Sequence, residues 1–294
     1  MLGETIDSIL NQTFKDFELI VVDNYSTDNT EEVVRSYNDK RIRYFKNKNN
    51  GLLAVNRNFA IKKSKGDYIA VCDDDDLWMP GKLEKQLAEF EKDKEIGLVC
   101  TNGFSFDESG ERGGLGKSRN EYFSFEKLLI DNTIACCSVM IKRNILDDVG
   151  WFDESQDITT GEDYELWLRI AKKYKIRYIS TLLAKYRVHA GALHSTYLYG
   201  IKPSEVTKKV YEKLLEKQII DVELYKRLCD GLNHRILTIK LIDGDKTINV
   251  EKILKTRMTT WEKSKVMVIY FLHRTKILNI LRRLHIQRNI PHIR

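Results

Sequence analysis

The sequence predicts an α/β fold, a mostly parallel sheet flanked by helices, with a helical extension at its C-terminal end. Over roughly the first 200 residues, short apolar runs alternate with helical patterns of about ten residues. The runs are continuously apolar, as expected of strands covered on both faces. After about residue 200 the strand patterns stop and long helical patterns follow. We therefore predict a sheet-containing domain over 1–200 and a helical, basic region over 201–294.

The first predicted strand is the run FELIVVD, residues 17–23, which ends in Asp23. A helix is predicted over 28–37, with Ser26 or Thr27 as its N-cap and acidic residues in its first turn. A short strand over 41–45, a polar loop and a helix over 53–63 complete this part of the chain.

The next predicted strand, 67–72, runs into four consecutive aspartates, residues 73–76. Pro80 suits the first turn of the helix that follows. Two later strands are predicted, 97–101 and 135–141. Open α/β sheets bind ligands beyond the carboxyl ends of their strands, so Asp23 and the four aspartates are predicted to line a ligand site.

The chain carries a net charge of +6, and its basic excess lies at the C-terminal end. Residues 255–294 contain ten basic residues and one acid. Apolar positions between 266 and 284 share one helical face, which predicts an amphipathic basic helix. Two interpretations stay open: the helix lies on an anionic membrane surface, or it packs on the first domain with its basic face in solvent. Nucleic acid is not an expected partner, because the rest of the chain is acidic and no nucleic-acid-binding module is recognisable.

The five cysteines form no C-x-x-C pair and are odd in number, which favours neither a zinc site nor a disulfide framework. A reducing compartment is the simpler interpretation. No signal-peptide pattern opens the sequence, and the longest apolar run, 266–272, is far shorter than the ~20 residues of a membrane-spanning helix. We expect a cytoplasmic protein, peripheral on the inner face of the plasma membrane if the basic helix binds lipid.

The aspartates at 73–76 concentrate negative charge directly after an apolar strand. Their repulsion is relieved by a cation or by water, and Mg²⁺ or Mn²⁺ prefers such oxygen ligands together with substrate phosphates. The alternative is a solvated acidic turn in front of the next helix, where acids are favoured. The spacing alone leaves both interpretations open.

Four segments in this order resemble the motifs of family 2 inverting glycosyltransferases with the Rossmann-like GT-A fold. They read FELIVVDNYSTDNT, NNGLLAVNRNFAIKKSKGDYIAVCDDDDLWMPGKLEKQ, GWFDESQDITTGEDYELWLRI and YRVHAGALHST. The resemblance covers roughly residues 4–195, and several linked motifs are more specific than a single Asp-x-Asp.

The resemblance implies a site for a nucleotide-sugar donor. Asp23 would hold the base or ribose, and Asp73 and Asp75 would form the Asp-x-Asp pair, near the ribose and on the metal respectively. Arg57 would orient the donor pocket. The implied donor-binding residues are Asp23, Asn24, Ser26, Arg57, Asp73 and Asp74, and the implied Mg²⁺ or Mn²⁺ ligands are Asp75, Asp73 and His189.

The resemblance also implies that Asp163, in the GED motif, is the general base, with Glu162 beside it. Without the family pattern, Thr159 and Glu162 read as a capping box and Asp163 as a favourable first-turn acid. With the pattern, Asp163 is favoured over Glu162 as the base.

The implied activity is inverting, metal-dependent transfer of a sugar, from a UDP-sugar or a similarly activated donor, to a hydroxyl of a growing glycan. The acceptor implied is a lipid-linked or cell-surface glycan, such as lipopolysaccharide or capsule, in a bacterium. Two alternatives stay open. One is a catalytically silent protein that binds nucleotide sugars, and the other is a sugar nucleotidyltransferase, which normally shows a Gly-rich phosphate loop.

The sequence departs from the family pattern at two places. Tyr25 stands where the family usually has Gly, so the turn after Asp23 is expected to be partly reshaped. The family also opens with a buried strand, whereas Met1 falls almost directly on the first helix, GETIDSILNQTF. A start codon farther upstream, a truncated record and a real gap in the sheet are the three interpretations that stay open.

Overall fold

The computed structural model describes residues 1–114, 121–130, 132–189 and 201–243. The chain divides into two compact units, the first comprising 1–196 and 209–220 and the second comprising 197–208 and 221–294. The first unit holds the sheets and the predicted site residues. None of the helices in the described ranges has the length and apolar character that crossing a bilayer requires.

Helices and strands alternate along the described residues of the first unit, and α9 and the first half of α8 belong to the second unit. The helices are α1 (Leu2–Leu10), α2 (Thr30–Ser36), α3 (Leu53–Lys63), α4 (Lys82–Lys92), α5 (Phe125–Ile130), α6 (Arg143–Val149), α7 (Glu162–Lys173), α8 (Ile201–Glu216) and α9 (Val222–Asp243). The strands are β1 (Leu19–Asp23), β2 (Ile42–Lys46), β3 (Tyr68–Ala70), β4 (Leu77–Trp78), β5 (Ile96–Asp107), β6 (Gly110–Gly114), β7 (Tyr122–Phe123), β8 (Val139–Lys142) and β9 (Lys175–Arg187).

The strands form two sheets. Strands β1 and β2 pair in parallel, and a seven-stranded sheet has the order β3-β8-β5-β9-β4, with β6 on β5 and β7 on β9. The predicted α/β class is confirmed, but the larger sheet is mixed rather than mostly parallel. Strand β8 lies between β3 and β5 and runs antiparallel to both, while β5 and β9 are parallel.

Two strand edges bear on the predicted missing strand. Among the described residues, β1 pairs with β2 and β3 pairs with β8, and each has one edge without a strand partner. The side chains of β1 are half-buried up to Asp23, which is buried, so the expected fully buried strand is not seen there. The absence of an opening strand stays a prediction.

The predicted helices and strands agree with the structure better than their predicted ends do. Helix α3 spans 53–63 as predicted. The predicted cap of α2 is wrong: the helix begins at Thr30, and the Ser26 hydroxyl bonds Asp23 instead. Pro80 precedes α4, which begins after Gly81, a residue in the left-handed conformation with φ 78°.

The C-terminal half of α8 packs within the first unit. Val210 and Leu214 are fully buried, and Lys217, just after the helix, pairs with Asp153 and with the buried Glu165 of α7, at 2.7 Å each. Helix α7, which begins at the GED motif, is therefore held on this side by residues beyond 200. The predicted basic helix near 266–284 lies outside the described residues.

Candidate functional site

Asp23 ends β1 and organises the turn that follows. Its carboxylate is buried, with one oxygen accepting from the Ser26 amide at 2.9 Å and from the Ser26 hydroxyl at 2.6 Å. The other oxygen accepts from the Tyr44 hydroxyl at 2.6 Å. Burial alone would raise the pKa of Asp23, but these hydrogen bonds from Ser26 and Tyr44 outweigh it and hold the pKa below its usual range. Asp23 is thus an ionised acceptor at neutral pH.

Asn24 joins this turn to the loop before α3. Its side-chain oxygen accepts from the Asn49 amide at 2.9 Å, while Asn24 and Ser26 are themselves exposed. The three residues predicted to hold the base or ribose therefore lie side by side. The sequence analysis did not identify Tyr44, whose place opposite Asp23 depends on the parallel register of β1 and β2.

The acidic loop at 73–76 distributes its charge over separate partners. Asp73 pairs with Arg57 at 2.9 Å, and Asp75 pairs with the His189 ring at 2.9 Å. Asp76 is buried and accepts from the Arg187 amide at 2.9 Å. Burial, followed by the charge of Asp73, raises the pKa of Asp76 to about 8. The predicted repulsion is therefore reduced by the Arg57 charge beside Asp73 and by the raised pKa of Asp76, which favours its neutral form.

Asp74 is the exposed member of the loop. Its backbone oxygen accepts from the Thr5 hydroxyl of α1 at 3.0 Å. Arg187, at the end of β9, fixes the loop from the opposite side, because its side chain donates to the Asp75 backbone oxygen at 2.8 Å. Arg187 is a second residue that the sequence analysis did not identify, although it stands in the YRVH motif.

Arg57 is the centre of the predicted site. It extends from α3, and its two amino groups donate to Glu162 at 2.6 Å and to Asp73 at 2.9 Å. Its guanidinium also lies 5.5 Å from the centre of the buried Phe152 ring. One side chain thus joins the acidic loop to the start of α7, where the GED motif lies.

Asp163 is half-buried at the first turn of α7. Burial, and then the neighbouring charge of Glu162, raise its pKa to about 7. A carboxylate of this pKa can accept a proton near neutral pH, whereas Glu162 is occupied by Arg57. The capping-box interpretation is wrong here, since Gly161 is the N-cap and the Thr159 hydroxyl donates to the Gln156 backbone oxygen.

The structure therefore brings most of the predicted residues into one neighbourhood. The charges of Glu162, Arg57 and Asp73 act on Asp163, and Asp75, which contacts His189, belongs to the same loop as Asp73. The Asp23 group is a separate hydrogen-bonded cluster at the end of β1. Helix α3, which packs on β1 and carries Arg57, connects the two.

Asp75 and His189 are hydrogen-bonded to each other and lie close enough together to be neighbouring ligands of one divalent cation. Their facing atoms, a carboxylate oxygen and a ring nitrogen, lie 2.9 Å apart. Adjacent ligands of an octahedral ion with bonds of about 2.1 Å lie about 3.0 Å from each other. Within the described residues no group of three or more His, Cys, Asp or Glu could hold a metal ion, and Asp73 is turned to Arg57. A two-residue site completed by substrate phosphates is consistent with this set.

The chain is similar to several known glycosyltransferases. It is 34% identical over 218 residues, 70% of this chain and 80% of the relative, to the UDP-Glc:alpha-D-GlcNAc-diphosphoundecaprenol beta-1,3-glucosyltransferase WfaP of Escherichia coli. Two other curated relatives are matched over 66% and 69% of their own length.

Two solved structures share the fold. The S. aureus TarS fragment 1–349 in complex with UDP-GlcNAc is 17% identical with a TM-score of 0.60, and the match covers 95% of this chain and 79% of that one. The mannosyltransferase PcManGT of Pyrobaculum calidifontis, in complex with GDP-Man and Mn²⁺, is 16% identical with a TM-score of 0.54, over 98% of this chain and 84% of that one. At these identities the likeness shows the GT-A fold alone.

The family assignment comes from the sequence itself. Residues 1–150, half of the chain, match the family model described as Glycosyl transferase family 2. This range holds the Asp23 turn, Arg57 and the acidic loop. The chain therefore belongs to glycosyltransferase family 2 and has the GT-A fold.

Proposed function

We propose that this protein is an inverting glycosyltransferase that moves a sugar from a UDP-sugar to a hydroxyl of a lipid-linked or cell-surface glycan. The observation that carries the proposal is the Arg57 bridge. It joins Asp73 of the acidic loop to Glu162, whose neighbour Asp163 has its pKa raised to about 7 by burial and by the Glu162 charge. Arg57 thus connects Asp73, which can bind the donor, to the helix turn that carries Asp163, which can accept a proton.

The donor would lie across the ends of β1 and β3. Asp23 offers an ionised acceptor for the base or ribose, with Asn24 and Ser26 beside it. Asp73 would lie near the ribose, and Asp74, the exposed aspartate, would face the nucleotide sugar. The UDP-sugar named for WfaP and the UDP-GlcNAc bound to TarS support a uridine nucleotide as the carrier.

Asp75 and His189 would hold a Mg²⁺ or Mn²⁺ ion. When bound, the ion supplies positive charge to the diphosphate as it leaves. The Asp75 carboxylate is a ligand of the type that suits Mg²⁺ and Mn²⁺. The Mn²⁺ in the PcManGT complex supports the same assignment.

In the proposed reaction Asp163 takes the proton of the acceptor hydroxyl. As the hydroxyl oxygen bonds the anomeric carbon, the bond from that carbon to the diphosphate oxygen breaks, and its electron pair leaves with the diphosphate. A single displacement of this kind inverts the anomeric centre. The Arg57 pair keeps Glu162 engaged, so Asp163 is the carboxylate that remains available to the acceptor.

The acceptor class rests on the relatives. WfaP is named for a sugar linked to diphosphoundecaprenol, and another relative is a putative teichuronic acid biosynthesis glycosyltransferase of Bacillus subtilis. We propose a lipid-linked glycan at the inner face of the plasma membrane, with the basic region 255–294 near anionic lipid.

The test is the variant Asp163→Asn in the full chain. Binding of UDP-glucose and UDP-GlcNAc with Mn²⁺ is measured by calorimetry, and transfer is followed as UDP release with a polyprenyl-diphosphate-linked sugar as acceptor. Asp163→Asn is expected to bind the donor as the parent does and to lose transfer at least about 100-fold. Asp157→Asn, an exposed acid in the preceding turn, is the matched control and is expected to transfer normally.

Transfer by Asp163→Asn at near the parent rate would show that the base is misassigned. A parent protein that binds UDP-sugars but releases no UDP with any acceptor in the panel would instead be the catalytically silent alternative.

A further inference from the structure

Tyr25 combines a strained backbone with an exposed aromatic ring. Its φ of 59° lies in the left-handed region, which costs a residue with a Cβ more than it costs glycine. Its side chain is 58% exposed, so packing in the core does not compensate this cost. The turn after Asp23 therefore keeps a glycine-like backbone conformation while presenting a tyrosine ring to solvent.

The neighbours of Tyr25 hold it in this conformation from both sides. On one side, Asn24 accepts from the Asn49 amide at 2.9 Å. On the other side, the amide and hydroxyl of Ser26 both donate to Asp23, at 2.9 and 2.6 Å. Backbone strain persists where surrounding contacts over-determine it, and such positions cluster at binding sites. The backbone that carries the exposed ring is thus held by contacts on both sides.

Asp23, which lies in the same turn as Tyr25, has hydrogen-bonding capacity for a nucleobase. The Asp23 carboxylate accepts three hydrogen bonds within the protein, from Ser26 and Tyr44, out of about four that a carboxylate can accept. One acceptor position is left for an N–H of a base or a hydroxyl of a ribose. Tyr25 follows Asp23 by two residues in the same turn, so one turn supplies both an aromatic ring for the face of a base and an acceptor for its edge.

We propose that Tyr25 is a donor-binding residue, on whose ring the nucleobase of the donor stacks. This inference rests on the proposed nucleotide-sugar site and adds to it the residue that recognises the base. The stacking replaces solvent on a ring that the fold holds outward. The strained turn is then retained for binding, at the expense of stability.

The experiment measures UDP binding and thermal stability of the full chain with Mn²⁺ present. Tyr25→Gly is expected to raise the Tm, because glycine adopts a positive φ without strain, and to weaken the Kd for UDP at least about tenfold. Tyr25→Phe keeps the ring and is expected to bind UDP with the Kd of the parent. Tyr25→Asn, which tolerates the left-handed region, is a second ring-deleting variant. Tyr122→Ala removes another exposed tyrosine, 40% exposed in β7, and is expected to leave the Kd unchanged.

A ligand without a base separates stacking from a general change in the pocket. Ribose 5-diphosphate is expected to bind Tyr25→Gly and the parent equally. If Tyr25→Gly binds UDP as tightly as the parent, the inference is overturned while the proposed function stands. If the parent binds none of UDP, GDP, CDP and dTDP, the proposed function fails, and the inference fails with it.

Discussion

Arg57 and Glu162, which are 105 residues apart in sequence, form an ion pair of 2.6 Å that joins α3 to the first turn of α7. Their side chains are only 13% and 5% exposed. The second amino group of Arg57 reaches Asp73 at 2.9 Å. Because one planar guanidinium makes both contacts, the acidic loop and the GED motif have a fixed relative position.

The variant Glu162→Gln tests this pair by stability. The substitution leaves the Arg57 charge in a poorly solvated place with Asp73 alone, and breaking a buried pair in this way costs about 3 kcal/mol. We expect a lower free energy of unfolding by about that amount in urea titrations. Arg35→Ala removes an exposed i,i+4 pair with Glu31 and is the matched control, for which no measurable change is expected. A loss no larger than that of the control would show that the bridge is not a structural element.

The loop that leads into α7 contains a second strained residue. Thr160 has a φ of 73°, an unfavourable conformation for a β-branched side chain, two residues before Glu162. Thr160→Gly is expected to raise the free energy of unfolding by about 1 kcal/mol, measured in urea. Thr159→Gly is the control, because Thr159 has an ordinary φ of −50° and its hydroxyl bonds the Gln156 backbone oxygen. Thr159→Gly is expected to lower the free energy of unfolding. A rise in both Thr159→Gly and Thr160→Gly would contradict the strain argument.

The sequence predicted where the candidate site lies but not the contacts within it. Strand periodicity and the strand-end rule placed Asp23 and the aspartates at 73–76 at a ligand edge, and α3 was predicted with its observed bounds. Those features depend on local patterns. The pairing of Tyr44 with Asp23 depends on the register of β1 and β2, which no local pattern encodes.

Strand direction was the other feature that local sequence patterns did not predict. Strand β8 is a short apolar run like any parallel strand, yet it enters the sheet antiparallel between β3 and β5. The cap of α2 failed for a different reason. Ser26 is a good cap by type, but the buried Asp23 carboxylate competes for its hydroxyl and its amide.

Metal binding can be tested apart from turnover. If Asp75 and His189 are the ligands, Asp75→Ala and His189→Ala are each expected to weaken Mn²⁺ binding in the presence of UDP at least about tenfold, because losing even an outer-shell partner of a metal ligand costs about that much. The measurement is the signal of free Mn²⁺ in electron paramagnetic resonance. Asp16→Ala, an exposed acid after α1, is the control. Unchanged Mn²⁺ affinity in His189→Ala would mean that His189 is not a metal ligand and that its 2.9 Å contact with Asp75 is only a hydrogen bond.

The raised pKa of Asp163 predicts how the transfer rate depends on pH. Because the base acts when deprotonated, the rate is expected to rise between pH 5 and pH 8 with an apparent pKa of about 7, set by burial and by the charge of Glu162. Glu162→Gln removes that negative charge, so the midpoint should move to lower pH, even though the maximal rate falls. A midpoint that stays near 7 in Glu162→Gln would contradict the electrostatic origin of the shift.

The raised pKa of Asp163 also predicts that the stability of the protein falls as the pH rises, whereas the transfer rate rises. The folded state raises the pKa of Asp163 above its usual 3.8, so it favours the protonated form. The contribution of this group is therefore fully present below about pH 4 and is lost as the pH rises through about 7. Asp163→Asn carries no such charge, and its Tm gain over the parent should be larger at pH 8 than at pH 5. An equal gain at both pH values would mean that Asp163 is solvated well enough to ionise normally, and its role as a base poised near neutral pH would then lack its physical cause.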